Sequence, residues 1–262
     1  MSFSTIVFDS SDGVATIRLN RPDSLNSFTA EMHAELRAAM DIVEADASVR
    51  CLVITGTGRG FCAGQDLSER DPGSARKMDL GASLDANYNP LIRRLKSLPL
   101  PVVAVVNGVA AGAGASLALA CDLVLAARSA RFIQAFCKIG LIPDAGGTWA
   151  LPRLVGHARA MGLALLGDTV MAEQAQDYGL IWRCVDDDKL AGEAAMLCRH
   201  LAVQPTVGLG LIKKAINASL ANDLDTQLDL ERDLQREAGF TSDFDEGVAA
   251  FQQKRAAEFK GR

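Results

Sequence analysis

The N-terminal half of the chain alternates between short apolar segments and segments with helical spacing. Residues 3–9 and 13–19 predict two strands around a Ser-Ser-Asp-Gly turn, which is typical of a β-hairpin. Apolar runs at 51–56, 101–108 and 121–127 predict buried strands, because a parallel sheet covered on both faces shows no polar alternation.

Apolar residues at helical spacing separate these predicted strands. They occur over 28–46, over 87–98 and over roughly 113–120. Strands and helices that alternate in this way indicate an α/β fold with a mostly parallel sheet. The charged stretch 67–85, which contains glycine and proline, predicts a surface loop.

After residue 150 the pattern is mainly helical. The segments with helical periodicity are 156–166, 172–178, 187–203, 206–221, 223–238 and 243–259. Pro205 marks a boundary, because proline is excluded from helix interiors. We therefore predict a βα core over residues 1–204 and a helical region over residues 205–262.

The helices predicted over 206–221 and 223–238 carry apolar faces that little of the remaining chain could cover. Uncovered apolar faces of this kind usually mark an interface between subunits. The sequence therefore predicts an oligomer, and the residues that form these faces are Leu209, Ile212, Ile216, Leu224, Leu228 and Leu234.

Charge and cysteine usage narrow the class of protein. The formal net charge of −5 and the lack of basic blocks disfavour nucleic acid and anionic membranes as partners. The six cysteines form no CxxC pair and no metal-ligand spacing with histidine, so we expect reduced thiols, no metal and a cytoplasmic protein. The N-terminus lacks the features of a signal peptide, and no apolar run is long enough to span a membrane.

Two segments rich in glycine and alanine follow predicted strands. RGFCAGQDL (59–67) follows the strand at 51–56, and NGVAAGAGASLALACDL (107–123) includes the end of the next one. Small residues expose backbone N–H groups, and a helix N-terminus adds positive potential, although tight packing alone would also explain each segment. Together they predict two N–H donors in one cleft, an oxyanion hole for a thioester or another carbonyl.

One carboxylate, Asp144, lies within GLIPDAGGTW (140–149). Aspartate is common in turns, so one interpretation is a turn former. The other interpretation is a catalytic base, whose pKa the apolar neighbours, Trp149 among them, would raise by desolvation.

These motifs occur together with NRPDSLNSF (20–28), ARAMGLALLGD (158–168) and EGVAAFQQKR (246–255). In this order they resemble the crotonase (enoyl-CoA hydratase/isomerase) superfamily over essentially the whole chain. The resemblance implies a spiral of ββα repeats with a C-terminal helical trimerisation region. It also implies acyl-CoA substrates, so that coenzyme A is carried by the substrate and no cofactor is needed. A homotrimer or a dimer of trimers, with other enzymes of the pathway as partners, is implied in the same way.

The resemblance also implies the site residues. It places the oxyanion-hole donors at the backbone N–H groups of Ala63 and Ala113, and it places the acid/base at Asp144. Family members that shift double bonds or attack an aromatic ring have an aspartate in this segment. The implied substrate and coenzyme A contacts are Ser24, Leu25, Asn26, Ala63, Gly64, Gln65, Asp66, Leu67, Gly112 and, as a phosphate contact, Lys254.

The sequence departs from the hydratases of the superfamily at two positions. Those enzymes hold a water molecule between two glutamates, where this chain has Ser116 and Phe136. Neither side chain is a general base at neutral pH without an activating partner, so simple hydration is disfavoured. The other acids, Asp66 and Asp122, are expected to act in capping or structural hydrogen bonds, and Cys62 is not expected to be a nucleophile. The three histidines, His33, His157 and His200, are expected to be structural or exposed.

Three stretches narrow the resemblance further: 88–102, 135–149 and 225–239. They are similar to isomerases of phenylacetate degradation. This likeness implies that 3-enoyl-CoA is converted to 2-enoyl-CoA, and ring-1,2-epoxyphenylacetyl-CoA to its oxepin form. Two alternatives remain open: a hydratase with an atypical water site, and a non-catalytic acyl-CoA-binding protein.

Overall fold

The N-terminal hairpin forms one edge of the larger of two sheets. In this computed structural model, which describes residues 3–69 and 79–262, strands β1 (Ile6–Ser11) and β2 (Val14–Leu19) pair antiparallel. Asp12 and Gly13 between them have φ angles of 51° and 77°, as the tight two-residue turn of a twisted hairpin requires. The predicted hairpin is confirmed.

The chain then passes repeatedly between strands and helices. The elements of its first half are α1 (Ala30–Ala45), β3 (Cys51–Gly56), β4 (Gly60–Cys62), α2 (Leu80–Ser83), a π-helical turn (Leu84–Tyr88), α3 (Asn89–Ser97), β5 (Val102–Val106), β6 (Val109–Ala111), α4 (Ala113–Ala120), β7 (Leu123–Ala127) and β8 (Arg131–Ile133). Those of the second half are α5 (Gly147–Leu166), β9 (Thr169–Met171), α6 (Ala172–Asp177), β10 (Arg183–Val185), α7 (Leu190–Ala202), α8 (Thr206–Ser219), α9 (Leu224–Gly239) and α10 (Ser242–Gln253). Short 3-10 turns lie at Pro22–Ser24, Leu67–Glu69 and Ala135–Ile139.

Two sheets run side by side through the core. The larger has the order β1-β2-β3-β5-β7-β10 and is parallel from β2 onward, and the smaller has the order β4-β6-β8-β9. Each of the pairs β3/β4, β5/β6 and β7/β8 gives one strand to each sheet before the chain continues into a helix. This arrangement is a spiral of ββα repeats, and it confirms the α/β fold.

Several predicted boundaries need correction. The strands of the smaller sheet are only three residues long, so they are too short to give a periodic signal. The surface loop expected over 67–85 is wrong from Leu80 onward, where the chain is helical, and its residues 70–78 lie outside the described residues. The last predicted helix, 243–259, ends early, because Lys254 closes it in a left-handed conformation with φ of 53°.

Helix α8 is attached to the core by a buried ion pair. Lys213 lies 2.8 Å from the Asp122 carboxylate and also donates to the carbonyl oxygens of Leu95 and Leu100, at 2.7 and 3.3 Å. Burial raises the pKa of Asp122, while the Lys213 charge acts in the opposite direction. Asp122 is thus structural, as expected. The division at residue 205 stays a prediction.

In the described part of the chain, no single helix has the length and apolar character needed to cross a membrane. Helices α7 and α8 meet that test only as a pair, and they are bent by 103° against each other.

Three aromatic rings pack together beneath the first Gly-rich loop. The His33 ring stacks on Phe28 with centroids 4.9 Å apart, and the edge of Tyr88 meets both rings. Burial and then the nearby Arg37 charge lower the pKa of His33 to about 4, so the imidazole is neutral at neutral pH. Among the described residues its Nε2 atom has no hydrogen-bond partner.

We predict that His33 makes folding sensitive to mild acid. Since its pKa is about 4 in the folded chain and 6.5 for a solvent-exposed histidine, the unfolded chain binds the proton more readily. This group should therefore lower the free energy of unfolding by about 2.5 kcal/mol between pH 7 and pH 4.5. Urea unfolding of the wild type and His33→Phe at both pH values measures the difference. Equal pH dependence of the two proteins would contradict the prediction.

Candidate active site

Two backbone loops approach each other closely at the ends of β4 and β6. The strands pair in parallel, with Cys62 opposite Ala110, so the segments that follow them lie side by side. At Gly64, where φ is 90°, an added Cβ would lie 3.0 Å from the Ala111 carbonyl oxygen and 3.4 Å from the Ala113 nitrogen. The close approach of the two loops therefore requires glycine at position 64.

The first loop presents the N–H of Gln65, not that of Ala63. The Ala63 N–H donates to the Leu25 carbonyl at 3.0 Å, so it is not available as the predicted oxyanion-hole donor, although Ala63 itself lines the cavity described below. Phe28 forms an isolated parallel bridge with Gln65: its N–H donates to Gly64 and its carbonyl accepts from Asp66. In a parallel bridge of this kind the backbone N–H of Gln65, the residue between Gly64 and Asp66, points away from Phe28. No described residue provides an acceptor for this N–H.

The second donor comes from the start of helix α4. Ala113 is the first residue of α4, and the first N–H groups of a helix have no acceptor within it. The helix dipole adds positive potential at the same point. Gln65 and Ala113 line one cavity, so their N–H groups are the candidates for the paired donors that the sequence predicts.

The cavity between the donors has a volume of about 220 Å³ and a mostly apolar wall. Its apolar side chains are Leu67, Leu80, Leu84, Phe136, Ile139 and Leu141, with Tyr88 beside them. Phe136 is buried, and its ring lies 3.8 Å from the position that a Cβ on Gly112 would occupy. An aromatic ring thus fills the place where the sequence resemblance puts a hydratase glutamate. Lys138 adds a positive charge on the exposed side of the cavity.

Asp144 lines the same cavity, from a turn that precedes helix α5. Its carbonyl accepts from the Gly147 N–H at 2.8 Å, and Ala145 and Gly146 between them have φ angles of 48° and 82°. The residue is half-buried. The two interpretations of Asp144 are therefore compatible, because its backbone forms a turn while the residue borders the cavity.

Asn26 and Asp66 hold the first loop in place. The buried Asn26 amide donates to the carbonyls of Thr57 and Gly60, at 3.0 and 2.8 Å, and accepts from the Arg21 N–H. Hydrogen bonds from Ser68 and the adjacent Arg21 lower the pKa of Asp66 to about 2. Asp66 is therefore a poor proton acceptor, and the amide of Asn26 is fully used inside the fold.

The other implied contacts lie in three different places. Gly64, Leu67 and Gly112 line the cavity. Ser24 ends a 3-10 turn, and Leu25 follows it with φ of 49°, so both belong to the support of the loop. Lys254 is exposed at the end of α10 and is not among the described residues that line the cavity, so its phosphate contact stays a prediction.

Four further residues are not among those that line the cavity. Burial raises the pKa of the Cys62 thiol to about 12, which leaves it protonated and unreactive. Ser116 is buried outside this cavity, and its hydroxyl has no hydrogen-bond partner among the described residues. His157 and His200 lie exposed on helices α5 and α7. No cluster of three or more metal-ligating side chains occurs in residues 3–69 and 79–262.

Two backbone N–H groups and a carboxylate around one apolar cavity are the groups that an enzyme would need to stabilise an oxyanion and to transfer a proton. The family model for enoyl-CoA hydratase/isomerase matches residues 9–262. The chain therefore belongs to the enoyl-CoA hydratase/isomerase family.

Individual relatives agree with this family. The 1,2-epoxyphenylacetyl-CoA isomerase of Escherichia coli is 61% identical over 95% of this chain and 96% of its own length. The trans-2-decenoyl-[acyl-carrier-protein] isomerase of Streptococcus mutans is 36% identical over the full length of both chains. Among solved structures, an enoyl-CoA hydratase of Bacillus anthracis superimposes with a TM-score of 0.93 at 33% identity, covering 99% of this chain and all of the other.

We predict that Gly64→Ala disrupts the oxyanion hole. The added methyl group would lie 3.0 Å from the Ala111 oxygen on a left-handed backbone, so the loop that carries Gln65 must move. Loss of one such donor lowers turnover by about 100-fold or more, which a kinetic assay with an enoyl-CoA ester measures. Gly13→Ala is the control, because Gly13 has a similar φ of 77° but no contact closer than 3.5 Å. Equal turnover of the two variants would refute the assignment.

Proposed function

We propose that the chain is an acyl-CoA isomerase that moves a 3-enoyl double bond to the 2 position. The observation that carries this proposal is a single carboxylate, Asp144, among the described residues that line the cavity with the Gln65 and Ala113 donors. One acid/base group is sufficient to move a proton between two carbons of the same substrate. The isomerase relatives from Escherichia coli and Streptococcus mutans support the same reaction class.

In the proposed mechanism the thioester oxygen accepts hydrogen bonds from the N–H groups of Gln65 and Ala113. Polarisation of this carbonyl makes the C2 protons of a 3-enoyl thioester more acidic. The Asp144 carboxylate takes one of them, and the C2–H electron pair enters a dienolate whose negative charge lies on the thioester oxygen. The carboxylic acid then returns the proton to C4, which leaves the double bond between C2 and C3 and restores the carboxylate.

We propose ring-1,2-epoxyphenylacetyl-CoA as a second substrate, which would be converted to its oxepin form in phenylacetate catabolism. The Escherichia coli relative that carries this name is 61% identical to the chain. Delocalisation of enolate-like charge onto the thioester oxygen would assist ring expansion in the same site. The reaction is an isomerisation, so it needs no co-reactant.

The two alternative functions predict different outcomes for the same ester. A hydratase would give a 3-hydroxyacyl-CoA, whereas an acyl-CoA-binding protein would return the ester unchanged. Mass spectrometry combined with the absorbance of the conjugated product separates the three outcomes for a 3-enoyl-CoA ester. The Phe136 ring in the cavity argues against hydration, because it cannot act as a general base.

We predict that Asp144→Asn abolishes most turnover while binding and folding persist. The amide keeps the shape of the side chain and suits the turn, but it cannot accept the proton. Turnover of a 3-enoyl-CoA ester should fall by about 100-fold or more, with affinity for the ester close to that of the wild type.

Ser116→Ala is the matched control for that experiment. Ser116 is buried beside the site but outside the cavity of Asp144, so its loss should leave isomerisation largely intact. Near-normal turnover by Asp144→Asn would instead reduce Asp144 to a turn former.

We further propose that the chain assembles as a trimer or a dimer of trimers through its C-terminal helices. Large apolar side chains are exposed there, including Ile212, Ile216, Leu224 and Leu228, whereas Leu234 is buried within the chain. Burying such side chains against another copy would be favourable. Light scattering at micromolar concentration tests the assembly, and a monomer would contradict it.

We also propose that the protein is located in the cytoplasm. All six cysteines are free thiols, which fits a reducing compartment. Cell fractionation tests this location.

A further inference from the structure

The side chain of Gln65 is held at both ends. Its Nε2 atom donates to the Phe28 carbonyl oxygen at 3.1 Å, and its Oε1 atom accepts from the Tyr88 hydroxyl at 2.6 Å. A side-chain amide bonded at both ends has little rotational freedom. The backbone of the same residue, which carries one of the two oxyanion-hole donors, is therefore tied to two neighbouring elements.

Tyr88 is itself a rigid point of attachment. Only 4% of its surface is exposed, and its ring lies edge-on to Phe28 at 5.3 Å and to His33 at 4.4 Å. It ends the π-helical turn Leu84–Tyr88, directly before helix α3. The position of the Tyr88 hydroxyl is therefore fixed by the packing of its ring and by its helical backbone. It does not depend on the loop of Gln65, with which the hydroxyl forms its hydrogen bond.

The first loop needs such support. Gly64 gives it a flexible backbone immediately before Gln65, and this glycine is required by the close approach to Ala113. Oxyanion-hole donors stabilise a transition state because they are oriented before the reaction begins. A donor that follows a glycine loses this advantage unless another contact fixes its direction.

We propose that Tyr88 is a positioning residue of the isomerase site: through the Gln65 side chain, it holds the Gln65 N–H aimed at the thioester oxygen. This inference rests on the proposed function. Tyr88 also lines the cavity, so the rival explanation is a direct contact between its ring or hydroxyl and the acyl group.

The test begins with Tyr88→Phe, which keeps the ring packing and removes the hydroxyl. We expect kcat for a 3-enoyl-CoA ester to fall about tenfold, while KM changes less than about twofold. The melting temperature should stay within about 4 °C of the wild type, since one hydrogen bond is lost from a chain of this size. Tyr178→Phe is the matched control, because its hydroxyl bonds Gln174 on α6 and does not line the cavity.

Infrared difference spectroscopy measures directly how strongly the donors polarise the thioester carbonyl. The probe is a 2-enoyl-CoA ester labelled with carbon-13 at the thioester carbonyl. In the wild type, both donors should lower the carbonyl stretching frequency on binding. In Tyr88→Phe the frequency should return part of the way to that of the free ester. An unchanged frequency together with a lower kcat would overturn the proposal in favour of direct substrate contact.

A double-mutant cycle with Gln65→Met completes the test. This variant keeps the backbone donor but removes both side-chain hydrogen bonds, so Tyr88→Phe should cause little further loss of kcat when added to it. Additive losses, or wild-type kcat in Tyr88→Phe alone, would also overturn the proposal. If the wild type isomerises no enoyl-CoA ester, the proposed function fails, but the carbonyl frequency still tests the role of Tyr88.

Discussion

The structure depends on one close approach, that of the backbone after β4 to the backbone after β6. Gly64 permits this approach on one side, since a Cβ there would lie 3.0 Å from the Ala111 carbonyl oxygen. Gly114 permits it on the other, where a Cβ would lie 2.2 Å from the Cys62 carbonyl oxygen. The parallel pairing of β4 with β6 in the smaller sheet brings the two loops to the same place. Two N–H groups from distant parts of the chain thus border one cavity.

The candidate oxyanion-hole donors are therefore backbone groups, and the side chains around them hold the loops that carry these donors. Asn26 and Asp66 support the first loop through hydrogen bonds and an ion pair with Arg21, so both polar side chains are used for structure. Asp144 contributes the acid to the cavity. Relatives of similar fold carry the names of both hydratases and isomerases, as expected when the reaction depends on individual site residues rather than on the fold.

The sequence predicts the long elements of this structure because they have room for a periodic pattern. Strand β3 and helix α4 were both expected at the positions where they occur. The smaller sheet could not be predicted in this way, since strands of three residues within Gly- and Ala-rich segments have no measurable period. The sequence resemblance assigns the first N–H donor to Ala63 rather than to Gln65 for a related reason. Only the hydrogen bond from Ala63 to Leu25 and the bridge between Phe28 and Gln65 reveal which N–H is available.

Side-chain identity at a few positions then decides the chemistry. Phe136 makes one wall of the cavity apolar, and Ser116 lies buried outside the cavity without a hydrogen-bond partner among the described residues. A water molecule held for addition would need basic groups at these positions, whereas a proton that returns to the same substrate needs only one. In the proposed mechanism, an apolar wall would also limit the access of bulk water to the dienolate. The serine and the phenylalanine at these positions therefore agree with an isomerase rather than with a hydratase.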